Sequence, residues 1–182
     1  MSSELIIHFC APTLAGLKAG SLFSYRYPEG ENAAETIRRQ NLLFNSKGIY
    51  FEPVRQSRGA MLVYVYRRKQ VEKILSGPAV QEFLRQYGYC DFCLEACLKR
   101  LKERLQQKDF PHEIGVFLDY PLPDIQAFIA NKGENFSVLG CWKVYTNVDE
   151  AVRKFASFKK CTEIYSRCYL QGADLSRLTL AG

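Results

Sequence analysis

Histidine is nearly absent from this chain: His8 and His112 are the only two among 182 residues. Imidazole chemistry, if there is any, rests on one of those positions. No apolar run approaches the roughly 20 residues needed to cross a bilayer, so no membrane span is expected. The start, Met-Ser-Ser-Glu-Leu-Ile-Ile-His-Phe-Cys, has no basic stretch and too short an apolar core for a signal peptide. That predicts a cytoplasmic protein, in which the seven cysteines are reduced. Their odd number also argues against a pure disulfide framework. Repeats, low-complexity runs and linkers are missing. So is any complete catalytic or cofactor motif, which points first to a non-catalytic accessory or ligand-binding protein.

What is present is ordinary in bulk. A chain of 20.9 kDa with 47% hydrophobic and 24% charged residues suits one soluble domain, residues 1–182, with a proper core. The net charge of +6 is concentrated in residues 51–110, where twelve Lys or Arg face seven Asp or Glu. That bias is mild and falls well short of a polybasic arm.

Taken in order, Ser2 or Ser3 can cap a short helix through Cys10, ended by Ala11-Pro12, with a loop of small residues to Gly20. Strands are predicted at about 20–25, 49–54, 60–66 and 140–145. The second and third form a hairpin across a five-residue loop, Arg55–Gly59. Leu62, Tyr64 and Tyr66 alternate with Met61, Val63 and Val65, so 60–66 is apolar on both faces and should be a central strand. Helices are predicted over 31–46, 69–75, 79–87 and 92–107. The last of these carries Leu94, Leu98, Leu101 and Leu105 as a buried stripe. Asn147-Val-Asp-Glu150 reads as a capping box for a long final helix, which Gly172 ends. The tail 172–182 is expected to be loosely held. The fold class is α+β: a small, mostly antiparallel sheet covered by helices.

Special residues gather between Asp109 and Asp124: one of the histidines, three of the seven prolines, and a Gly among large apolar side chains. Phe110, Ile114, Phe117 and Leu118 share one helical face, with Asp109 as N-cap and Pro111 in the first turn. The alternation Ile114, Val116, Leu118 would suit a strand, but Asp-Phe-Pro favours the helix. Pro121 forces a break at Tyr120. Pro123 then opens a second helix carrying Ile125, Phe128 and Ile129.

His8-x-Cys-Ala-Pro-Thr-Leu-Ala-Gly-Leu-Lys18, Phe110-Pro-His-Glu-Ile-Gly-Val-Phe-Leu118, Tyr120-Pro-Leu and Trp142-Lys-Val-Tyr145 resemble a domain-of-unknown-function family of small cytoplasmic proteins from anaerobic bacteria. The resemblance covers roughly residues 8–165 and is most specific in the central stretch. It departs at Asp119, where a Gly is expected. It implies no established activity. The setting it implies is redox or iron handling, with a flavodoxin-like or iron-handling protein as partner.

The candidate binding residues are Lys18, His112, Glu113, Tyr120, Trp142 and Lys143, with the Asp109–Asp124 stretch as one wall. Trp142 and Lys143 are adjacent on a predicted strand and should point to opposite faces, so only one of them is expected in the site. An alternative is a small hydrolase or redox enzyme that uses Cys10 as thiol nucleophile, or His112 as base. Cys90-x-x-Cys93-x-x-x-Cys97 has metal-ligand gaps, but Cys93 and Cys97 are i, i+4 neighbours on the predicted helix and are read as core. No metal is expected there. A third possibility is nucleic-acid binding by the basic hairpin 55–69, where Tyr64 and Tyr66 lie among Arg55, Arg58, Arg67, Arg68 and Lys69.

Overall fold

Two apolar faces on one strand call for cover on both sides, and the chain supplies it. The computed structural model describes residues 1–182. Helix α1 (Ser3–Leu14) precedes strand β1 (Gly20–Arg26), helix α2 (Ala33–Phe44), and strands β2 (Ile49–Ser57) and β3 (Ala60–Arg67). Helices α3 (Arg68–Leu75), α4 (Pro78–Arg85) and α5 (Leu94–Leu105) follow. A 3-10 turn at His112–Gly115 then leads to α6 (Leu122–Ala130) and the short strands β4 (Val138–Leu139) and β5 (Lys143–Val144). Helices α7 (Val148–Leu170) and α8 (Leu175–Leu178) complete the chain.

The main sheet is antiparallel in the order β1-β3-β2, so β3 is central as its sequence predicts. Met61, Val63 and Val65 pack with Phe23 and Phe51 against Ile6, Ile7 and Cys10 of α1, Ile37 and Phe44 of α2, and Cys161 and Tyr165 of α7. On the other face, Tyr64 and Tyr66 meet α3, α4, the leucine stripe of α5, and Ile114 and Phe117. This is the expected α+β architecture, with one correction. Residues 140–145 are not a fourth strand of that sheet; β5 pairs only with β4, in a separate two-stranded ribbon. The ribbon belongs to a third, smaller cluster of Trp142, Val144, Ala151 and Phe158. No helix is long and apolar enough to cross a membrane.

Local departures have physical causes. Helix α1 is capped by Ser2 but runs past Pro12. Its last carbonyls, on Thr13 and Leu14, accept from the buried Arg67 guanidinium at 2.6 Å each, which stabilises the extra turn. The β2–β3 loop is Arg58-Gly59 rather than five residues. A bulge between Pro53 and Arg55 shifts the register and lets the strand continue to Ser57. At α7 the box is not formed: Asn147 is left-handed (φ 47°) and makes no capping bond, because a side-chain cap requires extended backbone there. The tail is tied down. Lys47 Nζ donates to Thr179 O at 2.8 Å, Arg67 Nη2 to Leu180 O at 2.8 Å, and Leu175 and Thr179 are buried.

Candidate ligand-binding site

The central stretch is helical but too tight for an α-helix. Pro111, not Asp109, holds the cap position of the His112–Gly115 turn, since Pro111 can supply no N–H and its φ is already set. The turn is pinned to the sheet where the Tyr64 hydroxyl donates to Phe117 O at 2.6 Å. Gly20 makes that approach possible, because a Cβ there would lie 2.4 Å from Phe117 O. The turn ends at Asp119, which takes the left-handed conformation (φ 61°) that the resemblance assigns to Gly. Its Oδ2 accepts from Ala19 N–H at 3.1 Å, so the chain keeps the turn without the glycine.

Between this turn, α6 and the β4–β5 ribbon lies a cavity of about 300 Å³. Leu22 from the sheet, with Ile114, Leu118 and Ile125, forms the apolar floor; Phe110, Phe128 and Leu139 line it further out. A ladder of rings closes one side. Tyr120 packs on Trp142 (centroids 5.1 Å apart), and Trp142 meets Phe155 edge-on at 4.5 Å. The Tyr120 hydroxyl donates to Cys141 O at 3.0 Å, fixing the ribbon tip over the cavity. Burial pushes that phenol up to about 12 and raises the Cys141 thiol, the latter opposed by the nearby Lys18 cation.

Two buried carboxylates flank the space. Asp124 lines it, and its oxygens accept from Trp142 Nε1 at 2.8 Å, from the backbone N–H of Tyr145 and Thr146 at 3.0 and 2.8 Å, and from Thr146 Oγ1 at 2.9 Å. Glu113 faces away into the interior, where Arg104 Nε donates to it at 2.8 Å. His112 is exposed and packs 4.9 Å from the Phe128 ring. Lys143 Nζ donates to Gly133 O at 2.7 Å and lies over Phe136 and Phe128, at 4.7 and 5.8 Å. Lys18 sits outside the cavity, its ammonium 5.1 Å over the Tyr120 ring, and burial lowers its pKa.

Of the six candidate residues, His112, Tyr120, Trp142 and Lys143 line the cavity, while Glu113 and Lys18 stand behind its walls. The expectation that Trp142 and Lys143 exclude each other fails: both line the space, because β5 begins only at Lys143 and strand alternation does not reach back to Trp142. Leu118 lies in the stretch expected as one wall, whereas sequence reasoning missed Ile125, Phe128 and Cys141 as lining residues. The first two were legible only as apolar helix positions. Leu22, from a distant strand, carried no local signal at all.

The other constellations come apart. Cys10 is fully buried, its thiol raised by desolvation, and no histidine hydrogen-bonds to it. His8, two residues before it on α1, packs instead on Phe9. Cys93 is not within helix α5 but at its N-cap position, without a side-chain capping bond, and both Cys90 and Cys93 are exposed; only Cys97 is core. Asp91 draws the chain out before the helix by accepting from Cys93 N–H at 2.9 Å. No three His, Cys, Asp or Glu side chains gather as a metal-holding group. Tyr64, Tyr66 and Arg67 are buried, so the hairpin does not display the interleaved rings and cations that stacking on bases requires.

No curated protein and no solved structure matches the chain. One family model does, over residues 6–179, nearly the whole length. On that match the chain belongs to the family described as "Protein of unknown function (DUF3793)".

Proposed function

We propose that this chain is a cytoplasmic, non-catalytic ligand-binding protein whose ligand is a small, largely apolar molecule held in the cavity between the His112–Gly115 turn, α6 and the β4–β5 ribbon. The cavity itself carries the reading. It is concave, walled mainly by apolar and aromatic side chains, and bears few polar groups, which is the usual composition of a small-molecule site. At about 300 Å³ it lies at the small end of the roughly 300–1,000 Å³ of ligand pockets, so it suits a small ligand. Its walls are fixed by the Asp124 bonds and the Tyr64–Phe117 bond, which favours binding without reorganisation. All seven cysteines are free and Cys90, Cys93 and Cys141 are exposed, which favours a reducing compartment such as the cytoplasm of an anaerobic bacterium.

Trp142 provides the test, because it is the only tryptophan and lines the cavity. Titration with neutral aromatic and aliphatic fragments should change its emission saturably. Leu118→Phe, which adds volume to the floor, should abolish the response while the protein still melts cooperatively. If no fragment gives a saturable change in the unsubstituted protein, the cavity is packing space and the proposal fails.

A further inference from the structure

We infer that the ligand is a monocarboxylate with an apolar body, its head held by Lys143 with His112 beside it at the mouth; this rests on the ligand-binding reading above. The charged groups around the cavity are not equally engaged. Asp124 is the only acid in the lining, and four donors already converge on its two oxygens. Glu113 is sequestered by Arg104 behind the wall. Neither carboxylate is free to meet a cation.

The cationic side is unspent. Lys143 forms no ion pair, and its one acceptor is a neutral carbonyl, Gly133 O. An ammonium has three N–H donors, so two remain for a ligand. His112 also forms no ion pair and packs on the same Phe128 ring that Lys143 overlies, which places both groups on one rim. Lys18, half-buried behind Tyr120, has the Asp119 carboxylate beside it, so Lys143 carries the local positive charge. Beside the apolar rings of Phe128 and Phe136 the Lys143 ammonium attracts an anion more strongly than it would in bulk water. The floor has no cation, so a second carboxylate at the far end would be buried unpaired. An amino acid fits no better, since its ammonium would find no free acid. One anionic end and one apolar end remain.

Three probes with the same body separate the possibilities: 3-phenylpropionate, 3-phenylpropionamide and 3-phenylpropylamine, each titrated at neutral pH against Trp142 emission. The carboxylate should bind at least about tenfold tighter than the amide, as a charge-assisted hydrogen bond allows, and the amine should bind weakest. Raising salt should weaken the carboxylate alone. Lys143→Gln should bring the carboxylate to within about twofold of the amide, the charge-assisted bond being lost, while the amide, whose carbonyl accepts a weaker bond from the same ammonium, loses less. His112→Gln, at an exposed position, should produce a smaller selective loss. Should the amide equal or exceed the carboxylate in the unsubstituted protein, the anion is wrong and the apolar cavity stands. Failure of all three probes overturns both readings.

Discussion

Glu113 and Asp124 are both buried carboxylates in one continuous stretch, yet the two ends of that stretch handle the charge differently. At the first, a cation compensates it: Arg104 pairs with Glu113 and ties the 3-10 turn to α5. At the second, four neutral donors surround Asp124 and tie α6 to the β5–α7 loop. The ion pair depends on one partner. The cage is spread over backbone and side chains that come from a single short segment, Trp142 to Thr146. Between the two anchors lies the cavity; Glu113 is turned away from it, and Asp124 lines it with its oxygens already engaged by four donors. The basic rim is a consequence of how the walls are held.

The largest effect should come from the anchor with one partner. Arg104→Met keeps length and apolar contact but strands Glu113, whose side chain is only 1% exposed. Stranding one member of a buried pair costs about 3–5 kcal/mol, readable as a lowered midpoint in chemical denaturation. Glu113→Gln should cost less, because the Arg104 side chain is 21% exposed and can turn to water. A loss below about 1 kcal/mol for Arg104→Met, the range of exposed pairs, would break the contrast.

Asp124→Asn tests the cage. The amide has nearly the same shape but presents N–H₂ where one carboxylate oxygen stood, so at least one of the four donors loses its partner. A buried unsatisfied donor costs about 1–3 kcal/mol. Trp142 emission should shift if its Nε1–H is the group abandoned. No loss at all would mean that water can replace Asp124, and that the cage does not fix the ribbon.

Legibility followed the same division. Strand β3 and the α5 stripe could be read because periodicity decides them: Met61, Val63 and Val65 against Tyr64 and Tyr66, and leucines at helical spacing. Ile114, Phe117 and Leu118 were also correctly placed on one buried side, although the turn is 3-10 and begins after Pro111. What could not be read depends on long-range partners. Helix α1 outlasts Pro12 because Arg67, over fifty residues on, takes its last carbonyls. The tail is held by Lys47 and Arg67. Glu113 looked like an exposed helix-start residue until Arg104 drew it inward. Within the cavity, His112, Tyr120, Trp142 and Lys143 stood out by residue type, whereas Leu22 belongs to it only through the sheet.

Lys18 extends the contrast to a positive charge, with the smallest effect. It has no carboxylate hydrogen-bonded to it; the face of Tyr120 at 5.1 Å and the nearby charge of Asp119 compensate it. Burial lowers its pKa. Lys18→Met removes the desolvation cost of the ammonium together with a cation–π contact of about 0.5–2 kcal/mol. The two should nearly cancel, leaving the variant within about 1 kcal/mol of the original protein at neutral pH, the scale of an ordinary surface substitution or little more. The pH dependence of the difference is the sharper measurement. Below the folded-state pKa both states hold the proton and the desolvation cost is present in full. Between that value and the unfolded value, about 10.4, the unfolded chain keeps a proton the folded chain has lost, so stability rises with pH. The original protein should therefore gain on Lys18→Met as pH climbs toward about 10.4, the reference lysine value. The Cys161 thiol titrates in both proteins and cancels to first order in the difference, whereas Cys10 and Cys141 feel the Lys18 cation; burial raises both thiols, so their share falls at the alkaline end of the range. A difference that stays flat with pH would show Lys18 fully solvated, and would break its contrast with the two buried carboxylates.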